Sequence, residues 1–214
     1  MTARRLVLAT HNEHKVAEFA RILALAGTEL ELLPITSFAG VPDVPETEDT
    51  FEGNALLKAR AVAAATGLPA VADDSGLAVD ALNGMPGVLS ARWSGTHGAD
   101  QANLDLVLAQ LVDVPAQRRG ARFVCAAALA LPPDATEGVR TAVVRGELAG
   151  SIVREPRGRN GFGYDPIFVP LGSDLTTAEL EPDAKDAISH RGRALRALVP
   201  VLRELLGVGA GEGS

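Results

Sequence analysis

The sequence predicts an α/β fold built around a mixed β-sheet. In the first half of the chain, short apolar runs alternate with segments of helical periodicity, as in strands joined by helices. In the second half, apolar runs follow one another more closely, which indicates neighbouring strands. With 214 residues, of which 47% are hydrophobic and 22% charged, the chain can bury a substantial core in one domain or in two joined lobes.

In the first third of the chain, the predicted strands and helices alternate. Gly27 and Gly67 are suited to end helices, because glycine readily adopts the left-handed conformation found after a helix C-terminus. Thr50 is suited to begin a helix, since its hydroxyl can accept a hydrogen bond from the first turn. The predicted elements are a strand at 5–9, a helix ending at Gly27, a strand at 29–33, a helix at 51–66 and a strand at 68–72.

The remaining predicted elements follow the sequence Asp73-Asp74-Ser75-Gly76, which we interpret as the end of the strand at 68–72. They are an apolar segment at 77–82, a turn-rich loop at 83–87, a helix at 101–111, a strand at 122–131, one or two strands within 140–153, a glycine-rich loop at 158–163, an apolar segment at 166–169 and a last helix at 189–206. We expect residues 1–207 to form the domain and the glycine-rich residues 208–214 to form a flexible tail.

Charge and hydropathy exclude several classes of protein. The net charge of -7 argues against a dedicated nucleic-acid binder, which would show a basic surface. The longest apolar run, at 123–131, is too short to cross a bilayer, and the apolar stretch after Arg5 is too short for a signal peptide. The single cysteine, Cys125, cannot form an intrachain disulfide. We therefore expect a cytoplasmic protein with no membrane or nucleic-acid partner.

The first candidate motif is Thr10-x-Asn12-x-x-Lys15, at a predicted junction of strand and helix. A helix N-terminus offers unpaired N–H groups, and these side chains add donors for phosphate oxygens. The glycines of a Walker A loop are absent, so the motif is not a P-loop. The alternative interpretation is an ordinary helix cap followed by an exposed lysine.

The second candidate is the pair Asp73 and Asp74. Two adjacent carboxylates after an apolar strand are costly to bury unless they are paired, and a divalent cation such as Mg²⁺ would pair them. Glu46, in an acidic loop, can complete such a site, while Asn54 and Lys58 share one face of the helix at 51–66. The alternatives are a tight Asp-rich turn and, for Glu46, a solvated loop.

The third and fourth candidates lie in the last third of the chain. The loop from Gly161 to Pro166 contains Phe162, whose ring can stack on a nucleobase, or which can instead plug a hairpin loop. Lys185, Ser189, His190 and Arg191 gather donors suited to a purine carbonyl, although Ser189 is also a good helix N-cap. Together the four motifs describe a site for a Mg²⁺-bound nucleoside triphosphate.

The sequence resembles the inosine triphosphate pyrophosphatases, also called dITP/XTP pyrophosphatases. The matching stretches are LVLATHNEHK, TFEGNALLKARAVA, PAVADDSGLAVDALNGMPGVLSARWSG, ARFVCAAALAL, GFGYDPIF and AISHRGRAL. The resemblance implies a homodimer of two-lobed α/β/α sandwiches, each with a long twisted mixed sheet and a substrate cleft between the lobes. It also implies Mg²⁺-dependent hydrolysis of ITP, dITP and XTP to the monophosphate and pyrophosphate.

The resemblance also implies roles for individual residues. Asp74 matches the catalytic base and a metal ligand, with Asp73 beside it, and Glu46 matches a second metal ligand. The implied substrate contacts are Thr10, His11, Asn12, Glu13, His14 and Lys15 in the phosphate-binding stretch, Asn54, Lys58 and Ser75, the base-binding residues Phe162, Gly163, Tyr164 and Asp165, and Lys185, Ser189, His190 and Arg191. His11 and His14 occupy positions that vary in the family. All three lysines of the chain fall on matched positions.

The expected reaction is in-line attack of water on the α-phosphorus, with Asp74, assisted by Asp73, as the base. Which of the two aspartates accepts the proton is left open by the sequence. Two other functions remain alternatives. A nucleotide sensor would bind without turnover, although the intact carboxylates argue against it. A phosphatase of simple phosphate esters would have no need of the base-binding loop.

Overall fold

Six strands and five helices make up the regular structure of the computed structural model, which describes residues 4–25, 27, 30–134, 138 and 140–207. The strands are β1 (Arg4–Leu8), β2 (Leu30–Pro34), β3 (Ala70–Val79), β4 (Gly120–Ala130), β5 (Thr141–Ile152) and β6 (Phe168–Pro170). The helices are α1 (Glu13–Leu25), α2 (Phe51–Thr66), α3 (Asp100–Gln110), α4 (Pro182–Ile188) and α5 (His190–Leu206). The predicted tail at 208–214 lies outside the described residues.

The strands form one open sheet in the order β2-β1-β3-β4-β5-β6. β1 pairs in parallel with both β2 and β3, whereas β5 and β6 are antiparallel, so the sheet is mixed. The predicted α/β class with a mixed sheet is confirmed. The parallel pairs come from the alternating first part of the chain, because a parallel connection needs a crossover segment such as α1.

The predicted strand end at Asp73 is wrong. β3 runs without a break from Ala70 to Val79, so the four residues Asp73–Gly76 continue the strand instead of turning. The strand continues because both carboxylates find cationic partners inside the protein, which removes the need to place them in a loop. Helix α4 was not predicted from the sequence, because its seven residues are too few to show a helical period.

The chain divides into two compact units. The first comprises Met1–Asp74, Cys125–Gly146 and Arg191–Ser214. Its core joins strand residues with the apolar faces of α1 and α5; the larger contributors are Leu6, Leu8, Phe19, Ile22, Val71, Leu129, Leu195, Leu198 and Leu202. Cys125 is buried in the same core.

The second unit comprises Ser75–Val124 and Glu147–His190. Its core includes Leu77 and Val79 of β3, Leu104 and Val107 of α3, and a group of aromatic rings. The rings of Phe123 and Phe168 lie with their centroids 4.5 Å apart. No helix of the described part of the chain is long and apolar enough to cross a membrane.

Thr50 caps α2 as the sequence predicts. Its extended backbone places the hydroxyl oxygen where it accepts a hydrogen bond from Gly53 N–H, at 3.1 Å. At the other end, Gly67 has a φ of 66°, and its N–H donates a hydrogen bond to the carbonyl oxygen of Ala63. These two caps fix the ends of the helix that carries Asn54 and Lys58.

Replacing Thr50 tests the cap. Thr50→Ala removes the acceptor for Gly53 N–H, so we expect the free energy of unfolding to fall by about 1 kcal/mol. Thr50→Ser keeps the hydroxyl and is the matched control. Urea unfolding followed by circular dichroism measures both, and equal stability of the Ala variant and the parent would contradict the cap.

Candidate active site

Asp73 and Asp74 occupy different environments although they are neighbours in β3. Successive side chains of a strand point to opposite faces of the sheet. Asp73 contacts Lys15 of α1 and Arg191 of α5, whereas Asp74 contacts Asn54 and Lys58 of α2. Both aspartates are only 5% exposed. One strand therefore delivers two buried carboxylates to two different sets of partners.

Asp73 is held in its ionised form at neutral pH by two cationic side chains. Lys15 Nζ lies 2.8 Å from its Oδ2, and Arg191 Nε lies 3.4 Å from the same oxygen. Burial alone would raise the pKa of Asp73, but the positive charges of Lys15 and Arg191 outweigh it and hold the pKa well below its usual range. These ion pairs add stability above the pKa of an unfolded aspartate, about 3.9, which is lost as the pH falls toward the lower folded value.

Arg191 is the centre of this buried ion cluster. Its Nη1 pairs with Glu18 of α1, its Nε contacts Asp73, and its side chain is 5% exposed. Burial would lower the pKa of Arg191, but Glu18 and Asp73 raise it further, so the guanidinium stays charged. Arg191 was predicted to contact the nucleotide; in the structure its side chain joins α1, β3 and α5 within the first unit.

Asp74 has the opposite electrostatic character. Burial raises its pKa to about 6, an effect that Lys58 opposes only in part. Its Oδ1 lies 3.2 Å from Lys58 Nζ and its Oδ2 accepts a hydrogen bond of 3.2 Å from Asn54. Asn54 is itself fully buried and held by the backbone of Glu48. Asp74 is thus a firmly oriented carboxyl group that can take up a proton near neutral pH.

Glu46 and Asp74 converge on one cation position. Lys58 Nζ lies 3.0 Å from Glu46 Oε1 and 3.2 Å from Asp74 Oδ1, which brings the oxygens of both predicted metal ligands around a single positive charge. The described residues contain no group of three or more His, Cys, Asp or Glu side chains arranged to hold a metal. Two carboxylates suit Mg²⁺, which commonly takes one or two carboxylates and completes its shell with waters and phosphates.

The predicted phosphate-binding stretch forms the N-terminus of α1. Asn12 Oδ1 accepts a hydrogen bond from Lys15 N–H at 3.3 Å, and Asn12 N–H donates to Thr10 Oγ1 at 3.2 Å. The helix-cap interpretation therefore describes Asn12, while Lys15 is partly exposed beside Asp73 rather than free in solvent. His11 is exposed, and the side chains of Glu13 and His14 lie outside the described part of the structure.

Asp165 organises the glycine-rich loop in the second unit. It is 3% exposed, and its carboxylate accepts hydrogen bonds from Phe162 N–H at 2.8 Å, Thr177 Oγ1 at 2.8 Å and Lys185 Nζ at 2.5 Å. Lys185 Nζ also lies 5.3 Å from the centroid of the half-buried Phe162 ring. The structure thus brings Phe162 and Asp165, which were predicted as base contacts, together with Lys185, which was predicted as a further nucleotide contact.

Tyr164 and Gly163 are also anchored within the second unit. Tyr164 is buried, and its hydroxyl donates a hydrogen bond of 2.8 Å to the carbonyl oxygen of Ser90. Burial, with a smaller effect of Asp100, raises the pKa of that hydroxyl above its usual range, so it remains a donor. Gly163 N–H donates to Asp100 Oδ2 at 2.9 Å.

His190 and Ser189 lie at the start of α5, in the second unit. The imidazole of His190 is buried and stacks on Phe123, with centroids 4.8 Å apart and planes 15° from parallel. Ser189 is buried, and its N–H donates a hydrogen bond of 2.8 Å to the backbone carbonyl oxygen of Lys185. Ser75 follows Asp74 in β3 and is half-buried.

Five residues whose contacts are described above were not predicted from the sequence: Glu18, Ser90, Asp100, Phe123 and Thr177. Glu18 lies in a helix and Phe123 in a strand. The pattern of each element already accounts for a residue of that type, so neither residue stands out in the sequence. Ser90 acts partly through its backbone carbonyl, which no side-chain pattern reveals. Of these residues, only Asp100 could have been identified from the sequence, because an acid in the first turn of a helix can be examined for a second contact besides the helix dipole.

Replacing Arg191 tests the ion cluster. Arg191→Met removes the guanidinium that pairs with both Glu18 and Asp73, so we expect the free energy of unfolding to fall by about 3–5 kcal/mol. Arg193→Met, on an exposed position of the same helix, is the matched control. Urea unfolding at pH 7 measures both variants. A loss no larger for Arg191→Met than for Arg193→Met would contradict the role of the cluster.

The chain is similar to known proteins over nearly its whole length. A dITP/XTP pyrophosphatase from Streptomyces coelicolor is 60% identical over 203 residues, which cover 95% of this chain and 99% of the relative. A crystal structure of a nucleoside-triphosphatase, dITP/XTP pyrophosphatase, from Mycobacterium abscessus gives a TM-score of 0.75 at 57% identity, covering 92% of this chain and 99% of that one.

A HAM1 protein from Coxiella burnetii gives a TM-score of 0.84 at 45% identity, covering 94% of this chain and 99% of that one. The resemblance inferred from the sequence motifs is confirmed by these relatives. The family model of the Ham1 family matches residues 6–201. With most of its length matched in both sequence and structure, this chain belongs to the Ham1 family.

Proposed function

We propose that this protein hydrolyses deaminated purine nucleoside triphosphates (ITP, dITP and XTP) to the monophosphate and pyrophosphate, which clears them from the nucleotide pool. The names of relatives up to 60% identical support the substrate class. The observation that carries the proposal is Asp74, a buried carboxyl group with a raised pKa that Asn54 and Lys58 hold in place. A homodimer and a cytoplasmic location remain predictions from the sequence.

Asp74 is the proposed general base. Without a bound metal ion the pKa of the Asp74 carboxyl is raised to about 6 by burial, so the group is largely ionised at neutral pH and can accept a proton from water. The oxygen of that water attacks the α-phosphorus, its proton passes to Asp74, and the bond to the bridging oxygen breaks so that pyrophosphate leaves. Asp73 is a poorer candidate, because its lowered pKa makes it a weak proton acceptor and Lys15 and Arg191 occupy it.

Glu46 and Asp74 are the residues that would hold Mg²⁺, since their oxygens already surround one cation. When bound, the ion compensates the negative charge of the phosphate oxygens. Lys58, whose ammonium lies between these two carboxylates, would yield them to the metal and would then supply a positive charge to the leaving group. Lys15, oriented by Asp73, supplies a second positive charge.

Base recognition is assigned to the second unit. Phe162 supplies a ring for stacking on the purine, and Lys185 and Asp165 hold the loop that carries it. The imidazole of His190, kept in a fixed plane by Phe123, can donate to the 6-oxo group that hypoxanthine and xanthine share. ATP carries an amino group at this position and would leave the donor unpaired, which costs affinity.

The product mixture tests the proposed reaction. Purified protein with Mg²⁺ and, separately, ITP, XTP, GTP and ATP should release pyrophosphate from ITP and XTP, with rates on ATP lower by roughly 10⁴-fold. Pyrophosphate and orthophosphate are quantified separately. Orthophosphate as the first product would place the cut at the γ-phosphate and contradict the mechanism. Tight binding of ITP without turnover would instead indicate a nucleotide sensor.

Replacing Asp74 tests the assignment of the base. Asp74→Asn keeps the shape of the side chain but cannot accept the proton, so we expect kcat on XTP to fall by about 10²–10⁴-fold. Asp80→Asn, at an exposed aspartate just beyond the end of β3, is the matched control and should keep parental turnover. Circular dichroism confirms folding of both. An Asp74→Asn rate within threefold of the parent would exclude Asp74 as the base.

A further inference from the structure

We propose that Asp100 is a positioning residue that holds the loop 161–163 in the conformation that presents Phe162 to the purine. The inference rests on the proposed function, because it takes Phe162 as the stacking surface for the base. Asp100 is an exposed residue at the first position of α3, and its Oδ2 accepts a hydrogen bond of 2.9 Å from Gly163 N–H. It lies 63 positions from the glycine that it contacts.

Two consecutive backbone N–H groups of the loop each bind a carboxylate. Phe162 N–H donates to Asp165 at 2.8 Å, and Gly163 N–H donates to Asp100 at 2.9 Å. Asp165 belongs to the loop itself, is buried, and is further held by Lys185. Asp100 comes from a helix outside the loop. The two peptide units that flank Phe162 are therefore held differently, the first from within the loop by Asp165 and the second from α3 by Asp100.

The loop needs such a contact because its own sequence provides little rigidity. Phe162 lies between Gly161 and Gly163, which have φ angles of 77° and 62°. Glycine loses more conformational freedom on ordering than any other residue, so a defined orientation of Phe162 has to be stabilised from outside. Gly161 cannot be replaced to stiffen the loop, since a Cβ there would collide with the Asp165 carboxylate and lie 2.9 Å from Lys185 Nζ.

Stabilisation of α3 alone does not explain why the Asp100 carboxylate contacts Gly163. An acid in the first turn stabilises a helix through the helix dipole wherever its carboxylate points. In this structure the carboxylate points at one N–H of the glycine-rich loop, at a distance typical of a charge-assisted hydrogen bond. Asp105 offers the comparison within the same helix: it is exposed, and its Oδ1 accepts a hydrogen bond from Gln101, a neighbour in α3.

Loss of the contact between Asp100 and Gly163 should weaken nucleotide binding more than it slows the chemical step. Phe162 contacts the base, which keeps the same environment in the ground state and the transition state, so its interactions are expected to affect KM rather than kcat. For Asp100→Ala we expect KM for XTP to rise about tenfold, the effect of losing one charge-assisted hydrogen bond, while kcat changes less than twofold. Asp100→Asn keeps an acceptor oxygen and should restore KM to within about threefold of the parent.

The experiment compares the parent, Asp100→Ala, Asp100→Asn and Asp105→Ala. Steady-state kinetics with XTP give KM and kcat for each protein. Amide hydrogen exchange at Gly163, followed by NMR without nucleotide, reports the loop contact directly and needs no catalytic activity. We expect exchange at Gly163 to be at least about tenfold faster in Asp100→Ala, slowed again in Asp100→Asn, and unchanged in Asp105→Ala.

The outcomes separate the positioning role from the proposed function. If no protein turns over XTP but Gly163 exchange follows the expected order, the proposed function fails while the contact stands, and the positioning role in nucleotide binding is rejected with the function. If XTP is hydrolysed but Asp100→Ala matches Asp105→Ala in both KM and exchange, the inference about Asp100 is wrong. A parallel fall in kcat and in global stability in Asp100→Ala would also overturn it, because it would indicate a structural role only.

Discussion

Burial of two neighbouring carboxylates in β3 is the constraint on which the rest of the first unit depends. Each buried charge would cost several kcal/mol if it lacked a partner. Asp73 and Asp74 point to opposite faces of the sheet, so a single helix cannot compensate both. Lys15 and Arg191 meet Asp73 from α1 and α5, and Lys58 meets Asp74 from α2. Charge compensation therefore explains why three separate helices must be placed accurately around one strand.

The same compensation creates two different carboxyl groups from one Asp-Asp pair. Asp73 has two cationic partners and stays ionised, whereas Asp74 faces a lysine that Glu46 also attracts. A carboxylate whose pKa is well below its usual range therefore lies beside one whose pKa burial raises to about 6. The different roles proposed for Asp73 and Asp74 rest on this difference in environment, since the two side chains are chemically identical.

Carboxylates play a second, structural part in the other unit. Asp165 and Asp100 bind consecutive N–H groups of the glycine-rich loop, and Tyr164 ties the same loop to Ser90. Asp165, Gly163 and Tyr164, which the resemblance implies as base contacts, thus take part in contacts that fix the loop. A loop flanked by glycines can adopt the unusual backbone that the site requires, and these side chains limit it to one conformation.

The sequence by itself determined the α/β class, most strands and helices, and the residue types of the site, because periodicity, caps and short motifs are local properties of the chain. It correctly located α2 between Thr50 and Gly67, but it ended a strand just before Asp73, where β3 continues. Only the tertiary structure decided that Arg191 pairs with Asp73 and Glu18, 118 and 173 positions away, and that Gly163 binds Asp100. Such contacts depend on how elements pack, and no local pattern records them.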